Sequence, residues 1–175
     1  MGSFGFVNPS GTASYAGQTL AVLGGYSFRR SDPYTDGRGN LFTAVANYKP
    51  TEVDSEAFRA STAWGRAAWR LSGGGQVEAS YTRQMADHML YPYLQMDAVY
   101  DDADRAALRF EQPRSGARVS AIRADLYWSR VDHWMTDELR LSSSTAPRAY
   151  SMGTDAATNT LGGRAEAQIG AGTTV

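Results

Sequence analysis

Ile122-Arg123-Ala124-Asp125-Leu126-Tyr127-Trp128-Ser129 changes character at every residue. Ile122, Ala124, Leu126 and Trp128 fall on one side of an extended chain; Arg123, Asp125, Tyr127 and Ser129 fall on the other. A period of two is the mark of a strand with one apolar face. The extended reading runs from Ala117 to Val131, ~15 residues, where strands of globular domains average about five or six.

The same period recurs outward from that stretch. Leu20, Val22, Gly24, Tyr26 and Phe28 alternate with Ala21, Gly25, Ser27 and Arg29. Phe58, Ala60, Thr62 and Trp64 alternate with Arg59, Ser61 and Gly65. Val77, Ala79 and Tyr81 alternate with Gln76, Glu78, Ser80 and Thr82. Ala106, Leu108 and Phe110 alternate with Arg105, Arg109 and Glu111. Leu161, Ala165, Ala167 and Ile169 alternate with Arg164, Glu166 and Gln168. This predicts about six strands, each with an apolar and a strongly polar face.

The connections alternate as well. A polar stretch of Asp, Gly, Pro and Asn separates the first two strands, around residues 31–53. Ser72-Gly73-Gly74-Gly75 reads as a tight turn, followed two strands later by Pro113-Arg114-Ser115-Gly116. Long stretches lie at 87–102 and 132–147. Long and short connections in alternation are expected of an antiparallel up-and-down meander whose long loops share one edge, as in outer-membrane barrels.

Composition bounds the function. The 175 residues carry 17 Lys+Arg against 18 Asp+Glu, a net charge of −1, which argues against a nucleic-acid binder. With no cysteine, disulfides, thiolate metal sites and cysteine nucleophiles are excluded. No window of about 18 apolar residues exists, so no transmembrane helix is expected, although a membrane strand needs only about ten residues. The first residues show no basic segment followed by an apolar one, so no signal peptide is expected. Ser14, Ser61 and Ser80 lack a nucleophile-elbow context, and Gly73-Gly74-Gly75 lacks a phosphate-loop lysine. No enzyme is expected.

Against this pattern, the stretch Tyr81-Thr-Arg-Gln-Met-Ala-Asp-His-Met-Leu-Tyr-Pro-Tyr-Leu-Gln-Met-Asp97, continuing to Asp101-Asp-Ala-Asp-Arg105, resembles the barrel of TonB-dependent outer-membrane receptors. Gly25-Tyr-Ser-Phe-Arg-Arg-Ser-Asp32 with Asp36-Gly-Arg-Gly-Asn40, and Thr154-Asp155 with Thr160-Leu-Gly-Gly-Arg-Ala-Glu166, are similar to other strands of that barrel. The resemblance covers roughly residues 15–170. It implies active uptake of a scarce metal-containing cargo: a ferric siderophore, cobalamin, haem or copper. It also implies an outer-membrane location in a Gram-negative-type bacterium, contact with membrane lipid, a plug domain, and an inner-membrane energy-coupling complex. Residues 1–175 would then be one section of a larger barrel wall, with plug and both ends absent, and the last residues, Gly170 to Val175, a strand cut short.

Two constellations stand out in the stretch around 87–102. Met85, His88, Met89 and Met96, with Tyr91 and Tyr93 between them, form a soft donor set suited to copper and the candidate cargo-binding loop. Packing of a loop at a membrane boundary accounts for the same residues more economically. Asp97, Asp101, Asp102 and Asp104 would suit calcium, although their spacing matches no EF-hand loop and a solvated acidic loop is the simpler reading. No cofactor is otherwise expected. Arg59, Arg105, Arg109, Glu111, Arg123, Asp125, Arg164 and Glu166 are expected on the polar face lining the lumen, as wall charges capable of cross-strand pairing. Trp64, Trp69, Trp128, Trp134, Tyr81 and Tyr127 are candidates for aromatic girdles.

The expected fold is therefore all-β, an antiparallel up-and-down meander forming a partial section of a large transmembrane β-barrel. The expected function is that of an outer-membrane active-transport receptor. A diffusion porin and a soluble β-sheet binding module are the alternatives; the soluble module requires a second layer over the apolar face, and a small eight-stranded barrel fits the strand count and loops less well.

Overall fold

The computed structural model describes residues 4–113, 119–141 and 151–170. It contains one sheet of seven antiparallel strands in chain order. These are β1 (Ser10–Ala16), β2 (Leu20–Ser31), β3 (Phe58–Arg70), β4 (Gln76–Met89), β5 (Asp97–Pro113), β6 (Val119–Thr136) and β7 (Gly153–Ile169). Between β2 and β3 lie a short helix α1 (Phe42–Val45) and one 3₁₀ turn (Pro50–Glu52). The expected meander is present, as an open section whose first and last strands each keep one unpaired edge among the described residues.

The strand count is seven where the sequence pattern gave about six. The additional strand, β1, pairs with β2 from Ser10↔Ser27 to Ala16↔Ala21 and is exposed along its whole length. Its small residues carry almost no contrast between faces, so the backbone ladder forms without a hydrophobic period to announce it.

Short connections gather at one end. Gly17 N–H donates to the Leu20 carbonyl (2.8 Å), and Leu71 N–H donates to Gly75 (2.8 Å). Gly73 and Gly74 of the latter turn have φ of 91° and 82°, a region that costs glycine nothing and other residues about 1 kcal/mol or more. The turn expected at 113–116 runs into residues 114–118, outside the described residues. So do 142–147 of the third long connection and the end of the chain beyond Gly170.

The long connections differ from expectation in extent. The first spans 32–57, but the second shrinks to 90–96 because β4 continues to Met89 and β5 begins at Asp97. The third begins only at Asp137, since β6 runs 18 residues to Thr136. Charged residues occupy both faces of these upper strand ends. The hydrophobic contrast vanishes there while the hydrogen-bond ladder continues.

Register fixes which residues share a face. Arg66 pairs with Glu78, Arg109 with Asp125 (2.7 Å), Arg123 with Glu111 (3.1 Å), and Arg164 with Glu166, so these charges lie on one polar face. Arg105 shares it, being in line with Ser129 and Thr82. The opposite face carries Val22, Ala67, Ala79, Leu108 and Leu126 in one cross-strand row. Leu20, Trp69, Val77 and Phe110 form the next row on that face. No layer covers this face among the described residues: Leu126 is 54% exposed and Leu161 78%.

Arg59 departs from expectation. It lies opposite Arg30 and Asp87, on the apolar side of the sheet, and the phase of β3 is inverted relative to the sequence reading. Trp64 instead joins the polar face, where it sits over Gly25. A Cβ on Gly25 would lie 2.7 Å from the indole ring, so glycine there makes room for tryptophan. Between Arg59 and Trp69 the apolar side of β3 carries Ser61, Ala63, Gly65 and Ala67, too small to reveal their face by hydropathy.

Candidate functional site

The buried part of the molecule is at the long-loop end. Phe42, Tyr48 and Leu90 form a small core, with Ala46, Ala57 and Leu139 packed against it. They come from all three long connections. The 32–57 connection is laced to its neighbours by backbone bonds: Lys49 N–H to Leu139 (2.9 Å), Leu141 N–H to Asn47 (3.0 Å) and Leu90 N–H to Ala57 (2.8 Å).

At the centre is a buried ion pair that joins residues 43 positions apart. Arg140 Nε donates to Asp97 Oδ2 (2.7 Å) and Nη2 to Oδ1 (2.6 Å), with the two side chains 3% and 1% exposed. Asp97 Oδ1 also accepts from the Tyr48 hydroxyl (2.9 Å) and the Tyr91 backbone N–H (2.7 Å). The guanidinium lies 3.8 Å from the Tyr48 ring centroid and donates further to the carbonyls of Ala46 (3.2 Å) and Tyr91 (2.8 Å). Burial, then the Asp97 charge and hydrogen bond, push the Tyr48 phenol above its ordinary range. A buried pair is tolerated only when its donors and acceptors are this fully engaged.

The preceding connection is also internally ordered. Asp36 Oδ1 accepts from the backbone of Arg38 (2.8 Å) and Asn40 (2.9 Å), and Asp36 N–H donates to the Asn40 carbonyl (2.8 Å). The bond from Asn40 N–H foremost holds the Asp36 carboxyl below its usual value. At the other end of the connection Glu56 accepts from Arg30 (2.9 Å) and Arg59 (2.7 Å). Partial burial opposes ionisation of Glu56, but the two arginines outweigh it and hold its carboxyl below the usual range.

The soft donor set expected near 87–102 is dispersed. Met85 lies on β4, on the apolar side, in line with Ser61. His88 Nε2 faces Ser55 Oγ (3.4 Å) and, at 3.9 Å, Glu52. Met89 Sδ accepts weakly from the Tyr91 hydroxyl (3.9 Å), and Tyr91 packs edge-on against Tyr93. Met96 immediately precedes β5. His88 has φ of 52°, a left-handed backbone that an ordinary L residue adopts at a cost of about 1–3 kcal/mol.

The acidic residues are likewise divided, with Asp102 and Asp104 sharing Arg83 and the other two held elsewhere. Asp97 belongs to the buried pair, Asp101 faces His133 Nδ1 (3.6 Å), and Asp102 pairs with Arg83 (3.4 Å). Asp104 accepts from Arg83 (2.9 Å) and from the Tyr81 hydroxyl. The four carboxylates therefore do not converge, and among the described residues no group of three or more His, Cys, Asp or Glu is placed to hold a metal ion. A cleft of about 250 Å³ opens beside the buried pair, between His88, Asp87, Thr136 and Glu138.

Sequence reasoning placed Asp97 in an acidic loop and did not single out Tyr48 or Arg140. Nothing local marks them: an isolated Asp, Tyr and Arg in polar stretches carry no motif, and only their convergence in the fold gives them a role.

No family model matches the chain, and no curated protein matches it. Among solved structures, the copper transporter OprC superposes with a TM-score of 0.77 over 97% of this chain, at 19% sequence identity. The match covers 24% of that protein, so the chain spans about a quarter of its length. The shared feature is the fold, an antiparallel up-and-down wall section.

Proposed function

We propose that this chain is part of the wall of an outer-membrane barrel that takes up a metal-containing cargo. The observation that carries the reading is a bounded apolar face left bare among the described residues, with Leu126 and Leu161 exposed, opposite a face of ion pairs. On β2 the apolar series ends at Phe28 and the next residue on that face is Arg30; on β6 it ends at Trp128, followed by Arg130. Register aligns Trp128 with Ala106, Tyr81, Gly65 and Gly24. The limit is level from β6 to β4, where Tyr81 is followed by Arg83, and stands four residues higher on β2, at Phe28 against Gly24. Below it the bare face carries no charge on these strands, which suits a bilayer as its covering.

The polar face supports the same assignment. Cross-strand pairs such as Arg109–Asp125 and Arg123–Glu111 are largely exposed and contribute little to stability, about 0–1 kcal/mol each. They suit a wet lumen wall and would face a plug domain in a TonB-coupled receptor. The laced long connections would shape the cargo mouth. OprC is named for copper, which favours that class among siderophore, cobalamin, haem and copper cargoes; Met89, His88, Tyr91 and Met96 stand at the mouth end. No catalytic role is assigned to any residue.

The test uses single cysteines, since this chain has none. In the full gene product, Leu126→Cys and Asp125→Cys would each carry a fluorophore. The reading expects lipid-borne nitroxide to quench the first and a water-soluble quencher the second. Equal quenching at both positions by the aqueous agent would overturn it. Copper and ferric-siderophore uptake by cells lacking the gene then assigns the cargo.

A further inference from the structure

Above the aromatic row the apolar side of the sheet acquires a band of arginines: Arg30 on β2, Arg59 on β3, Arg83 on β4 and Arg130 on β6. Each is the first charged residue beyond the apolar belt on its own strand. We infer that this band binds the phosphate-bearing headgroups of lipids in the leaflet at the long-loop end. The inference rests on the membrane reading given above.

Depth is the first argument. Tyr81 and Trp128 share one cross-strand row through Ala106, and the Trp128 Nε1–H donates to Asn159 (2.8 Å), the behaviour of girdle residues with one dry and one wet end. Arg83 and Arg130 lie two residues further along the same strands. That is ~7 Å of chain and, at the tilt of about 35–45° usual in membrane barrels, ~5–6 Å of height above the aromatic residue of the same strand. The headgroup region on each side of a bilayer is about 5–8 Å deep. Both guanidinium groups therefore lie among headgroups, below bulk water.

The second argument is the layering of charge. Each arginine is held by carboxylates that are less exposed than it is. Arg83 is 41% exposed against 15% for its partner Asp104; Arg130 is 54% against 34% for Asp132. Arg30 and Arg59 are 48% and 54% against 22% for the Glu56 they share. The arginines are thus the accessible side of each pair. Arg130 uses Nε and one Nη for Asp132, and Arg59 does the same with Glu56. A guanidinium has five N–H donors in a rigid fork, so donors remain to receive a phosphate. The ion pairs pre-orient the arginines, which lowers the ordering cost of binding a headgroup.

The partner follows from these facts: an anion fixed at headgroup depth, carried on acyl chains that lie along the apolar belt below. A soluble anion gains nothing from that belt, whereas a phospholipid contacts both zones at once.

The experiment uses the full gene product, purified in detergent and titrated with phosphatidylglycerol or phosphatidylcholine of identical acyl chains, with retained lipid counted by native mass spectrometry. Wild type should retain phosphatidylglycerol in preference. Each basic residue near an anionic surface contributes about fivefold in affinity, so Arg83→Gln/Arg130→Gln should weaken phosphatidylglycerol about thirtyfold and phosphatidylcholine hardly at all. Arg83→Lys/Arg130→Lys should keep most of the preference, and Arg30→Gln/Arg59→Gln should lower it independently if the first pair assembles poorly. Equal retention of both lipids, an unchanged preference in both Gln pairs, or full competition by inorganic phosphate would overturn the inference. Lipid quenching at Leu126→Cys separates the two failures. With quenching intact, loss of preference sinks the headgroup band alone; without quenching, the membrane reading beneath it fails too.

Discussion

Replacing Asp97 by alanine should open the long-loop end of the molecule and leave the lower sheet closed. The substitution removes the acceptor of four hydrogen bonds, from Arg140 Nε, Arg140 Nη2, the Tyr48 hydroxyl and the Tyr91 N–H. It also leaves the Arg140 guanidinium buried without its counter-charge. Breaking a buried pair by deleting one partner costs about 3–5 kcal/mol. The loss falls on the laced connections, because neither Asp97 nor Arg140 reaches the apolar belt. Local opening should therefore become about two to three and a half powers of ten more populated.

Hydrogen exchange in the full gene product reads this directly. The amides of Lys49, Leu90 and Leu141, which tie the three connections together, should lose protection by that factor. Amides of Ala67 and Leu108, in the middle of the sheet, should not change. The double variant Asp97→Ala/Arg140→Ala should lose less than the sum of the two singles, by about 1–3 kcal/mol, since coupled partners are not additive. Asp97→Asn should fall between wild type and alanine. Additivity within about 0.5 kcal/mol, or an equal loss of protection at Ala67, would refute the claim that this pair locks the loops.

Four further outcomes are expected. Alkali should loosen the same region: Tyr48 keeps its proton in the folded state beyond the pH at which the unfolded phenol loses it, so stability is full below about pH 10 and declines above it. Tyr48→Phe should abolish that dependence, as followed by exchange at Lys49 across a pH series. Acid should release the clamp of Arg30 and Arg59 on Glu56, because a depressed carboxyl contributes stability present above its unfolded value near 4.5 and lost as pH falls through the folded one; protease cutting within 53–57 would report it. Leu126→Arg should cost about 2–4 kcal/mol of membrane-folded stability while Asp125→Asn costs about 1 or less, read from urea unfolding in liposomes; equal costs would mean that the two faces see the same solvent. His88→Gly should leave loop-end stability unchanged or raise it by about 1 kcal/mol, since relief of the left-handed backbone offsets the lost Ser55 contact; a loss above about 2 kcal/mol would give the imidazole a larger role.

What the sequence revealed depended on solvent contrast between the two faces. Where one face is apolar and the other polar, as from Ile122 to Ser129, alternation alone located the strand. Above the belt both faces of β4, β5 and β6 are polar, so the ladder through Asp87, Asp102 and Asp132 read as loop. On β3 the apolar side is paved with Ala63, Gly65 and Ala67, and Trp64 turns inward over Gly25; the larger residue misled the phase and carried Arg59 to the wrong face. The loop lock was illegible for a different reason. Tyr48, Asp97 and Arg140 are distant in sequence, and each is unremarkable alone.

The misassigned Arg59 is informative about the molecule's division of labour. Once placed beside Arg30, above Phe28, it ceases to be a wall charge and becomes part of the outward arginine band. On both faces the arginines are more exposed than the carboxylates that hold them: 56% against 17% for Arg66 and Glu78 on the polar face, 41% against 15% for Arg83 and Asp104 on the outward one. The two sets of pairs therefore differ in what adjoins them and not in how their acids are set: the outward arginines stand beyond an apolar row, whereas those of the polar face stand among further charges, and the lock at Asp97 ties the loops above both.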